Sequence, residues 1–164
     1  MKKVVKFGGS SLASAEQFRK VGSIIQADPE RRFVVPSAPG KRSRDDEKVT
    51  DMLYACYALA EEGSDFSEKL SAIRARYEEI IKGLSLKLSL EEEFQKIEEN
   101  FRNKAGKDYA ASRGEYLNGI VMAAYLTFPC SDAAEVIFFD EHWKFDAFQQ
   151  DQRLSKPLQQ VDLA

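Results

Sequence analysis

Val4-Val5-Lys6-Phe7-Gly8-Gly9-Ser10-Ser11 is the stretch from which the rest of the chain can be read. Val4 to Phe7 has the β-branched and aromatic make-up of a short buried strand, and it runs without a break into two glycines and two serines. A helix is predicted to begin near Ser14, with Gln17 three residues on completing a capping-box pattern and Phe18, Val21 and Ile25 forming one apolar face. Asp28-Pro29 ends that helix, and Arg32-Phe33-Val34-Val35-Pro36 supplies a second apolar strand. Strand, helix, strand within so few residues predicts a parallel pair joined by a right-handed crossover.

The composition sets the class. Of 164 residues, 43% are hydrophobic, 11% aromatic and 31% charged, enough apolar material for a packed globule and too much for a disordered chain. The 24 Lys and Arg against 27 Asp and Glu leave a net charge of -3, which argues against a broadly basic nucleic-acid surface. No stretch has the apolar length of a membrane span or of a signal peptide's central region, so the sequence predicts a cytoplasmic protein with no membrane partner. Cys56 and Cys130 lie far apart and His142 is the single histidine, so no metal centre is expected. Both cysteines are expected reduced, in apolar surroundings.

Further along, residues 37–49 read as a loop containing Pro39-Gly40 and the charge run Lys41-Arg42-Ser43-Arg44-Asp45-Asp46-Glu47-Lys48, expected mobile and exposed. Residues 50–60 are apolar and helix-compatible, with Thr50 or Asp51 placed to cap the first turn, and Gly63 breaks the helix. Phe66, Leu70, Ile73, Tyr77 and Ile80 alternate spacings of four and three, as do Leu90, Phe94, Ile97 and Phe101. These two segments predict an antiparallel helical hairpin over about 65–104, packed as ordinary core or interface. Residues 108–126 read as another helix with a small-residue surface, and residues 133–139 as the last strand. The resulting expectation is an α/β fold, a layered α/β/α sheet with an inserted antiparallel helical hairpin, over 1–148. A polar, poorly ordered tail follows over 149–164.

The residue with chemistry is Lys6. A lysine buried without a partner costs several kcal/mol, so a strand of Val and Phe tolerates one where an anion or carboxylate waits. Backbone amides of a Gly-Gly loop and the positive end of a following helix favour the same negative charge. The competing reading is an exposed strand end beside a tight turn, and the segment matches neither the Walker A pattern nor G-x-G-x-x-G. Residue types alone leave both open.

Lys6-Phe7-Gly8-Gly9-Ser10-Ser11-Leu12 resembles the N-terminal signature of the aspartate kinases in the amino-acid kinase family. Further segments are similar in the same order: Val34-Val35-Pro36-Ser37-Ala38 with Thr50-Asp51, then Ser112-Arg113-Gly114-Glu115-Tyr116-Leu117, then Ala133-Ala134-Glu135-Val136-Ile137. The likeness covers most of the chain and implies the N-terminal lobe of that fold. It implies ATP-dependent phosphorylation of L-aspartate to 4-phospho-L-aspartate, at the start of lysine, threonine and methionine synthesis, with Mg2+ accompanying the ATP. By the resemblance, Lys6 is the catalytic cation on the transferring phosphoryl group, and the amides of Gly8, Gly9 and Ser10 cradle phosphate oxygens. Ser37 and Thr50 would hydrogen-bond the aspartate carboxylates, and Glu115 would accept from its ammonium group. Without the resemblance, Ser37 is a loop hydroxyl, Thr50 a helix cap and Glu115 a solvated helix-surface charge.

The sequence departs from the family pattern in its long loop before Thr50 and in Asp140-Glu141-His142-Trp143, which has poor turn chemistry after the expected strand. Family members also continue well beyond this length, through a nucleotide-binding half and regulatory domains. The sequence therefore predicts a truncated chain with weak or absent turnover alone, whose partners include either a missing C-terminal half or a second copy. Two alternatives stay open: a related amino-acid kinase with another acidic substrate, and a non-catalytic binding fragment.

Overall fold

The computed structural model describes residues 1–135 together with Ile137, Gln150 and Ser155. These fall in two compact units, Met1–Pro129 and Cys130–Ala164. In the first unit, strand β1 (Lys3–Phe7) is followed by a 3-10 turn (Gly9–Leu12), helix α1 (Ala15–Gln26) and strand β2 (Arg31–Pro36). Four helices complete it: α2 (Val49–Glu61), α3 (Ser67–Gly83), α4 (Glu91–Arg102) and α5 (Lys107–Leu126). The strands pair in parallel, with Val4 opposite Phe33, Val5 opposite Val34 and Lys6 opposite Val35 after a register shift beyond Lys3. The strand-helix-strand order read from the sequence is thus realised, and helix α1 starts at the expected place. Ser14 caps it, its Oγ accepting from the Gln17 N–H at 3.4 Å.

Period-two alternation gives the sheet two unlike faces. Val5, Phe7 and Val34 pack against the core, whereas Val4 and Val35 are 69% and 48% exposed. Among the described residues the helices therefore cover one face of a two-stranded parallel sheet.

The core runs from Phe18, Val21 and Ile25 of α1 through Leu53 and Tyr57 of α2 to Ile73, Tyr77 and Ile80 of α3. Phe94 and Phe101 of α4, then Leu117 and Val121 of α5, complete it. Phe101 is its aromatic hub, with ring centroids 5.3 Å from Tyr57, 6.1 Å from Phe66 and 6.3 Å from Tyr109. Such contacts add about 0.5–1.5 kcal/mol each beyond the apolar area they bury. Cys56 lies in this core, and burial pushes its thiol up to about 11.

Several expectations are corrected here. The α3–α4 segment touches itself near its connection, where Arg74 pairs with Glu91 and Tyr77 meets Phe94 at 6.1 Å, while α4 packs chiefly on α2 and α5. Both helices form and pack into the core as read, although α4 lies more against α2 and α5 than against α3. Helix α2 begins at Val49 with Lys48 as its N-cap residue and no side-chain cap, so Thr50 and Asp51 sit inside the first turn. The backbone explains the shift: the Val49 N–H already bonds the Pro39 carbonyl at 3.1 Å, so the loop itself satisfies the first donor.

In the second unit, Cys130 is exposed, against the expected apolar setting. Ala133–Glu135 forms a 3-10 turn where a strand was expected to start, with the Ala134 N–H donating to Asp132 Oδ1 at 3.0 Å. That side-chain bond to the backbone competes with strand formation. Residues 136 and 138–139 of the expected strand, the His142-Trp143 turn and nearly all of the 149–164 tail lie outside the described residues.

Candidate functional site

Because β1 and β2 are parallel, the loops leaving their C-terminal ends emerge side by side, the usual location of a site in an open α/β sheet. The Ser37 N–H donates to the Phe7 carbonyl at 2.9 Å, and the Gly40 N–H donates to the Gly9 carbonyl at 2.8 Å. The two loops are in backbone contact. A Cβ on Gly9 would stand 2.8 Å from the Ala38 carbonyl oxygen, and a Cβ on Gly40 would stand 2.6 Å from the Gly9 carbonyl carbon. Neither position has room for a side chain.

Helix α5 closes the third side. A Cβ on Gly114 would lie 2.7 Å from the Ala38 Cβ and 3.3 Å from Leu53 Cδ1, with Val49 Cγ1 at 3.8 Å. One turn further on, the fully buried Asn118 donates from Nδ2 to the Ser37 carbonyl at 2.6 Å. Ala38 is thus enclosed by the Gly-Gly loop, the start of α2 and the Gly-Glu turn of α5, three segments separated by long stretches of sequence.

Two braces hold this arrangement from α3. The fully buried Tyr77 hydroxyl donates to the Gly114 carbonyl at 2.8 Å. Burial pushes that hydroxyl well above its ordinary value, so it remains a protonated donor throughout the physiological range. Arg76, 5% exposed, donates to the Gly40 carbonyl at 2.8 Å, the Glu47 carbonyl at 3.1 Å and Asp46 Oδ2 at 3.0 Å. Arg42 binds the same carboxylate through Nε at 2.9 Å and Nη2 at 3.0 Å, and reaches Glu79 at 2.5 Å. The charged loop expected to be mobile is therefore pinned at Asp46 and Glu47, although most of its other side chains are exposed. A loop with no apolar face can still be fixed by a buried guanidinium whose two terminal nitrogens bond its carboxylate and carbonyls.

Replacing Tyr77 by phenylalanine should leave the Gly114 brace unmade at almost constant volume, lowering stability by about 1–2 kcal/mol. Urea unfolding checks this, and an unchanged midpoint would show that the hydroxyl contributes nothing.

The sequence-predicted residues fall as follows. Gly8 and Ser10 are exposed and Gly9 half-buried at the 3-10 turn, where the Ser11 N–H bonds the Gly8 carbonyl at 3.0 Å. This turn separates the glycines from the start of α1. Ser37 and Thr50 are half-buried, and Glu115 is exposed on α5 beside Gly114. Lys6 is exposed, which decides against the buried of the two settings its residue types left open: it stands on the open face of the sheet, opposite Val35. Among the described residues no ion pair joins Lys6 to Glu115. Backbone packing brings together Gly9, Ser10, Ser37, Gly114 and the start of α2.

Residues that sequence reasoning missed are Gly40, Asn118, Tyr77 and Arg76. Asn118 carried a signal, being a polar residue one helical turn from Gly114 on an otherwise apolar stretch of α5. Gly40 was visible only as half of a turn dipeptide.

The sequence model of the amino acid kinase family matches residues 1–160. Aspartokinase 3 of Bacillus subtilis is 40% identical over 132 residues, spanning 77% of this chain and 29% of that protein. The chloroplastic aspartokinase 1 of Arabidopsis thaliana is 30% identical over 133 residues, spanning 75% of this chain and 23% of that one. The crystal structure of Clostridium acetobutylicum aspartate kinase superposes with a TM-score of 0.91 at 45% identity, over 96% of this chain and 37% of its own. E. coli aspartokinase III in complex with aspartate and ADP shares the fold, with a TM-score of 0.74 at 21% identity over 100% of this chain and 39% of its own. The chain thus spans well under half the length of each of these proteins.

Proposed function

The chain belongs to the amino acid kinase family, and from that premise we propose that it is the N-terminal portion of an aspartate kinase and carries the binding site for the amino-acid substrate. The reaction would transfer the terminal phosphoryl group of ATP to the side-chain carboxylate of L-aspartate, giving ADP and 4-phospho-L-aspartate at the start of lysine, threonine and methionine synthesis. The observation that carries this reading is the convergence of the Gly-Gly loop, Ser37-Ala38 and Gly114, the residue before Glu115, through contacts so close that Gly9, Gly40 and Gly114 have little or no room for a side chain.

The residues suit that chemistry. An aspartate carboxylate is ionised at neutral pH and needs no base to attack phosphorus, so the protein has to position the reactants and neutralise developing charge. Lys6, exposed near the C-terminal end of β1 and free of the cost of burial, would supply the ammonium that meets phosphoryl oxygens. The amides of Gly8, Gly9 and Ser10 offer further donors. Ser37 and Thr50 hydroxyls suit the substrate carboxylates, and the exposed Glu115 suits its ammonium group. The described residues gather no group of three His, Cys, Asp or Glu side chains, and Mg2+ would accompany the ATP chiefly through its phosphate oxygens. No helix among them is long and apolar enough to cross a membrane, which accords with a cytoplasmic enzyme.

Calorimetric titration of the chain with L-aspartate tests the reading. Saturable heat is expected, larger than with L-glutamate, and Glu115→Gln should weaken binding by about tenfold or more through loss of a charge-assisted bond. Absence of heat with L-aspartate would sink it. Coupled ADP release should be weak or absent for these 164 residues alone.

A further inference from the structure

We propose that Asn118 is a positioning residue that sets the Ser37 hydroxyl for the substrate by holding the main chain of Ser37 from below. The inference rests on the reading of Ser37 as a substrate contact.

Asn118 is fully buried at the centre of α5, a costly place for a carboxamide unless its polar atoms are engaged. Its Nδ2 makes a short bond, 2.6 Å, to the Ser37 carbonyl, across a sequence separation of 81 residues. Its Oδ1 is buried with no partner among the described residues. The side chain thus makes its one bond to the Ser37 carbonyl at the cost of an unmet Oδ1, whereas an apolar side chain of similar size would spare that acceptor but leave the Ser37 carbonyl without this donor.

What the bond does is local. Ser37 is otherwise held by its N–H donating to the Phe7 carbonyl. One bond at the nitrogen leaves the peptide that follows free to rotate, and a second at the carbonyl fixes that plane and with it the direction of the Cα–Cβ bond. The same face of α5 contributes both halves of the arrangement. Gly114 admits Ala38 at van der Waals contact, and four residues later Asn118 grips Ser37. The helix that carries Glu115 thus also sets where Ser37 stands, so two groups proposed to bind opposite ends of one amino acid are spaced by one rigid element.

A double-mutant cycle on this chain tests it, using L-aspartate as the calorimetric probe and urea unfolding as the fold control. Asn118→Leu should weaken aspartate binding by about fivefold to tenfold, the range of one hydrogen bond. Ser37→Ala should weaken it by a similar factor. Because Asn118 acts through Ser37, Asn118→Leu should cost no further affinity in the Ser37→Ala background, a coupling that a merely structural role would not produce. Asn118→Ser is the second variant if the leucine substitution prevents folding; its shorter side chain cannot reach the carbonyl, and the same coupling is expected. Unchanged affinity in a folded Asn118 variant, or losses that simply add, would overturn the inference while leaving the substrate reading standing. An unmutated chain that gives no heat with L-aspartate overturns both.

Discussion

Gly40→Ala is expected to lower stability by about 3 kcal/mol, the upper part of the range for forcing a methyl group into a closed contact. The added Cβ would meet the Gly9 carbonyl carbon at 2.6 Å, the Ser10 nitrogen at 2.8 Å and the Gly9 carbonyl oxygen at 2.9 Å. All three are main-chain atoms, so no flexible side chain can swing away. Relief requires the two loops to part, which breaks the Gly40 N–H bond to Gly9 and pulls the Gly40 carbonyl from Arg76. Gly8 provides the control. It has extended backbone at φ -76 and nothing within 4 Å of its Cβ position, so Gly8→Ala should change stability by less than about 1 kcal/mol. Urea unfolding of the two variants measures the contrast. Equal midpoints would mean that the loops are not locked together. With Gly40→Ala, aspartate binding should be lost in parallel, because Ser37 and the Gly-Gly loop would no longer share a fixed distance.

That contrast also marks how far the sequence could be read. The adjacent glycines were legible as a tight loop after a strand, since few other residue pairs interrupt an apolar run so abruptly. Which of them is sterically required was not legible, because the answer lies in Ala38 and Gly40, about thirty positions away. Helices α1, α3 and α4 followed their apolar spacing and lie within a few residues of where Phe18, Tyr77 and Phe94 placed them, and α5 matches the helix read over 108–126. Expectations failed where a side chain or carbonyl from elsewhere decides the outcome. For Lys6 the strand neighbours left a buried and an exposed setting both open, because exposure depends on what covers that face, and Val4 and Val35 are open with it. Thr50 has the chemistry of a cap, but the Val49 N–H bonds the Pro39 carbonyl and the Met52 N–H the Lys48 carbonyl, so the helix already starts before it. The charge run was read as mobile since nothing local could order it. Its order comes from Arg76, which stands three residues after Ile73 on the apolar face of α3, so the spacing placed a charge in the core without showing what it binds.

Asp46→Asn should therefore have the second large effect, and one with a pH signature. Asp46 is the counterion of Arg76, with side chains 13% and 5% exposed, and it accepts two hydrogen bonds from the Arg42 side chain and one from the Arg42 N–H at 2.8 Å. Neutralising it leaves a buried guanidinium with only the Gly40 and Glu47 carbonyls, and removing one partner of a buried pair costs about 3 kcal/mol. The Arg42 side-chain hydrogen bonds, helped by backbone donors and the Arg76 charge and opposed by burial, hold the Asp46 carboxyl far below the ordinary carboxylate range. A value depressed in the folded state means stability that is complete above the unfolded value, about 3.9, and is lost as pH falls below it. The unmutated chain should thus exceed Asp46→Asn by a constant margin from about pH 5 upward, and that margin should shrink steadily as pH falls below about 4. A margin that stays constant down to pH 2 would show that the loop is held by shape and main-chain bonds alone. Arg76→Met separates the partners: it removes the buried charge together with its desolvation cost and leaves Asp46 bound to Arg42, so its loss should be smaller, about 1–2 kcal/mol. Because Arg76 also holds the Gly40 carbonyl, this variant should still weaken aspartate binding, linking the charged loop to the site through one guanidinium.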